Sequence, residues 1–186
     1  RITTPVATTA NGLAIALFQL RQFEDSAAMH GRALAIREKV LGPESSAVAQ
    51  SLNNLSSVQI ELGRFAEAEA ALLRAAAIWQ KNLGPDHPRI GIVQLGLADL
   101  YLRRSEATRA EPLLRSTVTL FERTLDAGHP RLAVALHALA RCLFALGRAE
   151  EGRPVCARAL ALREKALGPD DPMTVETRNL CAAETR

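Results

Sequence analysis

"RALAIREKVLGP" (residues 32–43) returns as "RALALREKALGP" (158–169), with ten of its twelve letters unchanged. Shorter punctuation marks the interval. "LGPESS" begins at 41, "LGPDHP" at 83, "LDAGHP" at 125 and "LGPDDP" at 167, so every step is 42 residues. A fixed period of this size is the mark of a repeat architecture, and it governs all further reading of the chain. The period divides residues 1–186 into a single array. Its copies fall at about 4–45, 46–87, 88–129 and 130–171, with a partial fifth at 172–186.

Each copy reads as two helices. "RLAVALHALARCLFAL" (131–146) places Leu132, Leu136, Leu139, Ala140, Leu143 and Leu146 at three- and four-residue steps, which makes one buried helical face. The pattern stops at Gly147, as the second copy stops at Gly63; glycine tolerates the left-handed conformation that closes a helix. The second helix reads "FAEAEAALLRAAAIWQKN" (65–82), with Ala68, Leu72, Ala75 and Trp79 on one face and Ile78 at its edge. Leu-Gly-Pro-Asp then breaks the helix. Either Asp86 or His87 caps the next start, and Pro88 fits a first helical turn because its missing N–H has no partner there anyway. Helix pairs of this length cannot bury their apolar faces alone, so they stack on their neighbours. The predicted fold is all-α: an α-solenoid of antiparallel helix pairs.

Composition agrees. Hydrophobic residues are 48% of the chain and aromatics only 4%, so the core is made of Leu and Ala, which favour helices over strands. A net charge of +3 with scattered Arg gives no basic run for nucleic acid, and one Trp with one Tyr gives no stacking platform. No stretch approaches ~18 apolar residues, so no membrane span is expected. The chain opens on Arg1 without Met, which points to a piece of a longer protein. Cys142, Cys156 and Cys181 are odd in number and lack metal-ligand spacing. They read as buried small hydrophobes rather than a disulfide framework, and a reducing, cytoplasmic setting is expected.

At "LNNLSSVQIELGRFAEAEAALLRAAAIWQKNLGPDHP" (52–88) the chain resembles tetratricopeptide repeat proteins, and its 42-residue period is similar to that of kinesin light chain and bacterial relatives. The resemblance covers essentially the whole chain. It implies a protein-binding scaffold whose first helices line a concave groove, and in bacterial relatives a fused effector domain outside this segment. The third copy departs from the pattern: Leu95-Gly96 replace Asn53-Asn54, and "RRSEATRA" (103–110) replaces the Gly-and-aromatic turn.

Columns through the period supply candidate binding residues. With Leu52, Leu55, Gln59 and Leu62 as the core face, Gln50, Asn53, Ser57 and Glu61 point to the groove. The Asn53 column reads Asn11, Asn53, Leu95, His137 and Asn179. An Asn amide carries a donor and an acceptor and can bridge one peptide unit without regard to ligand sequence. It can equally bond a neighbouring helix. Asn54 adjoins this column. Asp99 and Arg141 share the Ser57 column and Arg103 the Glu61 column. They make the groove mixed in charge, the two Arg being either grips for a ligand carboxylate or solvated charges. The expected peptide site is thus Asn11, Gln50, Asn53, Asn54, Ser57, Asp99, Arg103, His137, Arg141 and Asn179. Trp79 and Phe121 share a column with Arg37 and Arg163. A column that accepts Arg suggests a place near solvent, so the two rings form either a second contact patch or the cover of a helix end. His30 falls in the Leu72 column and reads as a partly buried exception.

No phosphate loop, zinc-protease motif or Ser-His-Asp arrangement is present, so no catalytic residue, metal or cofactor is expected. The expected function is a non-catalytic module that binds a protein or peptide. Self-association is the competing reading, because the partial fifth copy carries Val175, Leu180 and Cys181 that call for cover. Since contacts in stacked repeats are local, deleting one 42-residue copy (46–87) is expected to leave a folded, less stable protein. Circular dichroism and a melting curve check this; an insoluble or sheet-rich product would contradict it.

Overall fold

Ala- and Leu-rich segments interrupted at fixed intervals fold as the pattern requires. The structure, a computed structural model, describes residues 4–183. Among these there are nine helices and no strand: α1 (Thr4–Gln19), α2 (Phe23–Leu41), α3 (Ser46–Glu61), α4 (Phe65–Leu83), α5 (Pro88–Arg103), α6 (Ala107–Thr124), α7 (Pro130–Ala145), α8 (Ala149–Leu167) and α9 (Pro172–Ala183). None is long and apolar enough to cross a membrane.

Helix starts follow one column. The Ser45 hydroxyl accepts from the Val48 N–H at 3.4 Å, and the Asp171 carboxylate accepts from the Met173 N–H at 2.9 Å. His87 Nδ1 accepts from Arg89 and His129 Nδ1 from Arg131, both at 3.1 Å. So His87, not Asp86, takes the cap. Each side chain satisfies one amide that the first turn leaves without a partner.

Helix ends follow another column. Arg21, Gly63, Ser105 and Gly147 all adopt the left-handed conformation, at φ 60°, 71°, 60° and 72°. The Gly63 N–H donates to Ile60 O and the Arg64 N–H to Gln59 O. In the third copy the Ser105 N–H donates to Leu102 O and the Glu106 N–H to Tyr101 O. The turn that lost its glycine therefore keeps its geometry, at a steric cost of about 1–2 kcal/mol for a residue bearing a Cβ.

The chain divides into two compact units, 1–96 and 97–186. In the first, α1 packs on α2, α2 on α3 and α3 on α4. Its interior holds Ala14, Ala33, Val48, Ala68, Leu72, Ala75 and Trp79. In the second, α6 packs on α7, α7 on α8 and α8 on α9, around Leu114, Phe121, Leu132, Leu136 and Leu143. Close approach needs a missing side chain at Gly152: a Cβ there would lie 2.4 Å from the Phe144 ring.

Two expectations are corrected. Trp79 and Phe121 are fully buried and form no surface patch. Their column accepts Arg for a reason other than solvent. The Arg37 guanidinium donates to the Ser51 hydroxyl at 2.7 Å and to Ala47 O at 3.4 Å. Arg163, itself buried, donates to the Thr177 hydroxyl and to Met173 O, both at 2.6 Å. Ser51 and Thr177 belong to a column that holds Val93 and Ala135 in the other copies. Arg goes with a hydroxyl, and an aromatic ring with an apolar residue, because a buried guanidinium needs acceptors.

The second correction concerns the cysteines. Cys142 is free and buried as expected, but Cys156 on α8 and Cys181 on α9 form a disulfide, with Cα atoms 5.7 Å apart. Cys156 is fully buried and Cys181 half-buried. Their columns face one another across the α8–α9 junction, so two cysteines in them are within bonding reach.

Two outcomes follow from this geometry. Ser105→Gly relieves the left-handed strain and should raise stability by about 1 kcal/mol, or roughly 2–4 °C in melting temperature for a chain of this size. Dithiothreitol should accelerate amide exchange in α9 and leave α1–α4 unchanged, because the bond ties α9 to α8, on which it packs, and closes a short loop. Uniform acceleration across the chain would contradict local anchoring.

Candidate functional site

In the unit spanning 1–96, α1, α3 and the start of α5 present a chain of polar side chains. Arg89 donates to Gln50 Oε1 at 2.7 Å, Gln50 Nε2 to Asn54 Oδ1 at 2.8 Å, and Asn54 Nδ2 to Asn11 Oδ1 at 3.0 Å. Arg89 also lies over the Trp79 ring, 5.1 Å from its centre. Asn11 and Asn54 thus spend an amide group on each other across two helices. Their columns were both visible in the sequence; the bond between columns was not.

Asn53 differs. Its side-chain amide is half-buried and has no hydrogen-bond partner among the described residues; only its backbone carbonyl accepts, from Ser56 and Ser57. Ser57 is exposed beside it. One turn away is a cavity of about 140 Å³ lined by Ile15, Phe18, His30, Asn54, Ser57 and Val58. The sequence set His30 apart as an exception but did not show that it would border a cavity with Asn54 and Ser57. It is 2% exposed, and its Nδ1 meets no partner. Burial, with a smaller contribution from the charge of Arg37, lowers its pKa to about 4.

In the unit spanning 97–186, Asp99 on α5 accepts from Arg103 Nε at 3.1 Å and lies 3.9 Å from an Arg141 nitrogen. Both guanidiniums are therefore already engaged with an internal carboxylate. Asn179 is exposed on α9. His137 is a correction: it is only 5% exposed, and its Nδ1 lies 3.1 Å from the Thr177 hydroxyl. Packing of α9 over α7 and α8 covers this member of the Asn column. Burial first, then the charge of Arg163, pushes its pKa down, with Glu176 opposing. It does not offer the near-neutral titration that an exposed groove histidine would. Among the described residues no group of three His, Cys, Asp or Glu side chains could hold a metal ion.

The sequence pattern of the tetratricopeptide repeat matches residues 5–77, 49–123, 93–151 and 131–184. No curated protein matches the chain. Solved structures do. A Podosopora anserina protein assigned as a kinesin light chain, with nearly identical TPR-like repeats, shares 25% identity at a TM-score of 0.79, over 98% of this chain and 86% of that one. BtubC (BKLC) from P. vanneervenii shares 21% identity at a TM-score of 0.76, over 87% of this chain and 65% of that one. A Rap protein complexed with competence and sporulation factor shares 16% identity at a TM-score of 0.79, over 94% of this chain and 47% of that one. The last two likenesses concern the fold alone.

Burial of neutral His30 has a pH signature. Its folded-state pKa of about 4 lies below the unfolded value of 6.5, so the unfolded chain takes up the proton first. The contribution is intact above ~6.5 and is lost as pH falls from there towards ~4, by up to about 3 kcal/mol. Urea melts at pH 7.5 and 5 should show a smaller acid loss for His30→Leu than for the wild type.

Proposed function

Because the chain belongs to the tetratricopeptide repeat family, whose fold is a protein-interaction scaffold, we propose that it is a non-catalytic module built of 42-residue copies that binds an extended peptide or a partner's segment along its first helices. The observation that carries the reading is the half-buried Asn53 amide, which has both a donor and an acceptor to offer and no internal partner. An amide in that state matches the peptide unit of an extended ligand. The Rap protein of the same fold, held in a complex with competence and sporulation factor, is consistent with it.

Self-association is a second reading, and one observation favours it. Leu13 stands in the column of Leu97 and Leu139, which are buried, yet it is 51% exposed on α1. Light scattering over a range of concentrations separates the readings: a constant monomer mass removes this one.

The contrast between two adjacent asparagines tests the first reading. Asn53→Ala should leave the melting curve unchanged and weaken a screened peptide by roughly 5- to 150-fold, the loss expected when a desolvated ligand group is left unpaired. Asn54→Ala should lower the melting temperature, because it strands Gln50 Nε2 and Asn11 Oδ1, at about 1 kcal/mol or roughly 2–4 °C. Unchanged affinity with Asn53→Ala would remove the support for the groove.

A further inference from the structure

Each first helix after α1 meets the second helix before it, and the same columns make the contact. Arg37 on α2 donates to Ala47 O and to the Ser51 hydroxyl of α3. Arg163 on α8 donates to Met173 O and to the Thr177 hydroxyl of α9. The Leu72 side chain on α4 stands 2.9 Å from where a Cβ on Gly96 of α5 would lie. Cys156 on α8 is bonded to Cys181 on α9, and the Cys142 thiol on α7 donates to Ala107 O on α6 at 3.3 Å. On α1 these columns hold Pro5, Thr9, Gly12, Leu13 and Ala16. All five are exposed, Leu13 by 51%, and a Cβ on Gly12 would meet nothing within 4 Å.

The acceptors on this open face are already arranged. Thr9 Oγ1 donates to Pro5 O at 3.1 Å, as Thr177 Oγ1 donates to Met173 O at 3.0 Å beneath Arg163. A carbonyl and a hydroxyl thus stand side by side, the pair that takes a guanidinium in both of its internal occurrences. Where the hydroxyl column is apolar, at Val93 and Ala135, the ring position of the preceding helix holds Trp79 or Phe121 instead. Thr9 belongs to the arginine-taking class. The spacing on the covering helix is also fixed: Leu72 and Cys156, which meet Gly96 and Cys181, stand seven residues before Trp79 and Arg163, two turns along one face. Neither arginine of this column is free to fill the seat, since Arg37 and Arg163 are held by the helices that follow them.

We propose that this face of α1 is a docking surface for an amphipathic helix of a partner polypeptide, which lays a leucine-sized side chain over Gly12 and Leu13 and, seven residues on, an arginine against Pro5 O and the Thr9 hydroxyl. The proposal is independent of the groove reading, because it uses the outer face of α1 and not Asn53. The probe is a capped peptide of residues 149–167 with Cys156→Leu, since Leu stands at that position in the second and third copies. It is titrated into the whole chain, with the α1 amides followed by NMR and the complex mass by light scattering. The peptide should bind saturably in a one-to-one complex and shift the amides of Thr9 to Ala16. The same peptide with Arg163→Leu should bind about 10-fold more weakly, as expected for the loss of charge-assisted hydrogen bonds. In the chain variant Thr9→Val that difference should vanish, while the melting curve stays unchanged because Thr9 is exposed. Absence of saturable binding, shifts confined to other helices, or an undiminished arginine preference in Thr9→Val would overturn the proposal. So would light scattering that shows α1 of the unliganded chain already covered by a second copy, with a dimer mass that Leu13→Glu abolishes.

Discussion

A pair of helices this short has no interior of its own. Every apolar face must be covered by the next helix along, so stability resides in the junctions and each junction must be filled from the same columns. That constraint explains why the chain holds to a 42-residue step. It also explains why the positions that vary do so in concert. Where the ring position holds Trp79 or Phe121, the Ser51 column is apolar; where it holds Arg37 or Arg163, that column supplies a hydroxyl to a guanidinium. The junction tolerates either chemistry: the guanidinium of Arg163 finds acceptors for one of its nitrogens, and the rings pack against apolar side chains.

The same constraint separates what the sequence disclosed from what it did not. Periodicity reveals membership of a column, and it places Leu72, Ala75, Leu136 and Cys156 in the interior, where all four are buried. It does not reveal which columns meet. Three features missed or misread here are of that second kind: the Cys156–Cys181 bond, the seat of Arg163 on Thr177, and the amide pair of Asn11 and Asn54. His137 shows the other limit. Its column is half-buried at Asn53 but closed at the fourth copy, where α9 lies over it. A column has one meaning within an array and another beside its last helix.

The candidate site was legible in part. Asn53 and Ser57 stand out in the repeat, and the structure leaves the first half-buried and the second exposed, whereas the cavity beside them is bordered by His30, a departure from the repeat. Departures are poorly served by column reasoning, which treats them as noise. Ser105 makes the same point for the backbone. Its turn looked lost because the glycine was lost, yet the hydrogen bonds that close the helix hold a serine in the left-handed conformation. Local propensity is outweighed there by the hydrogen bonds that close the helix.

Asp99 gives the second unit a particular temperament. Held against Arg103 and near Arg141, it acts as a resident counter-ion. An acidic visitor cannot simply add itself to two free cations; it has to exchange with a tenant that is covalently part of the protein and therefore never dilutes away. Against a resident counter-ion, a ligand that offered charge alone would gain little, and one that brought hydrogen bonds and shape would gain more.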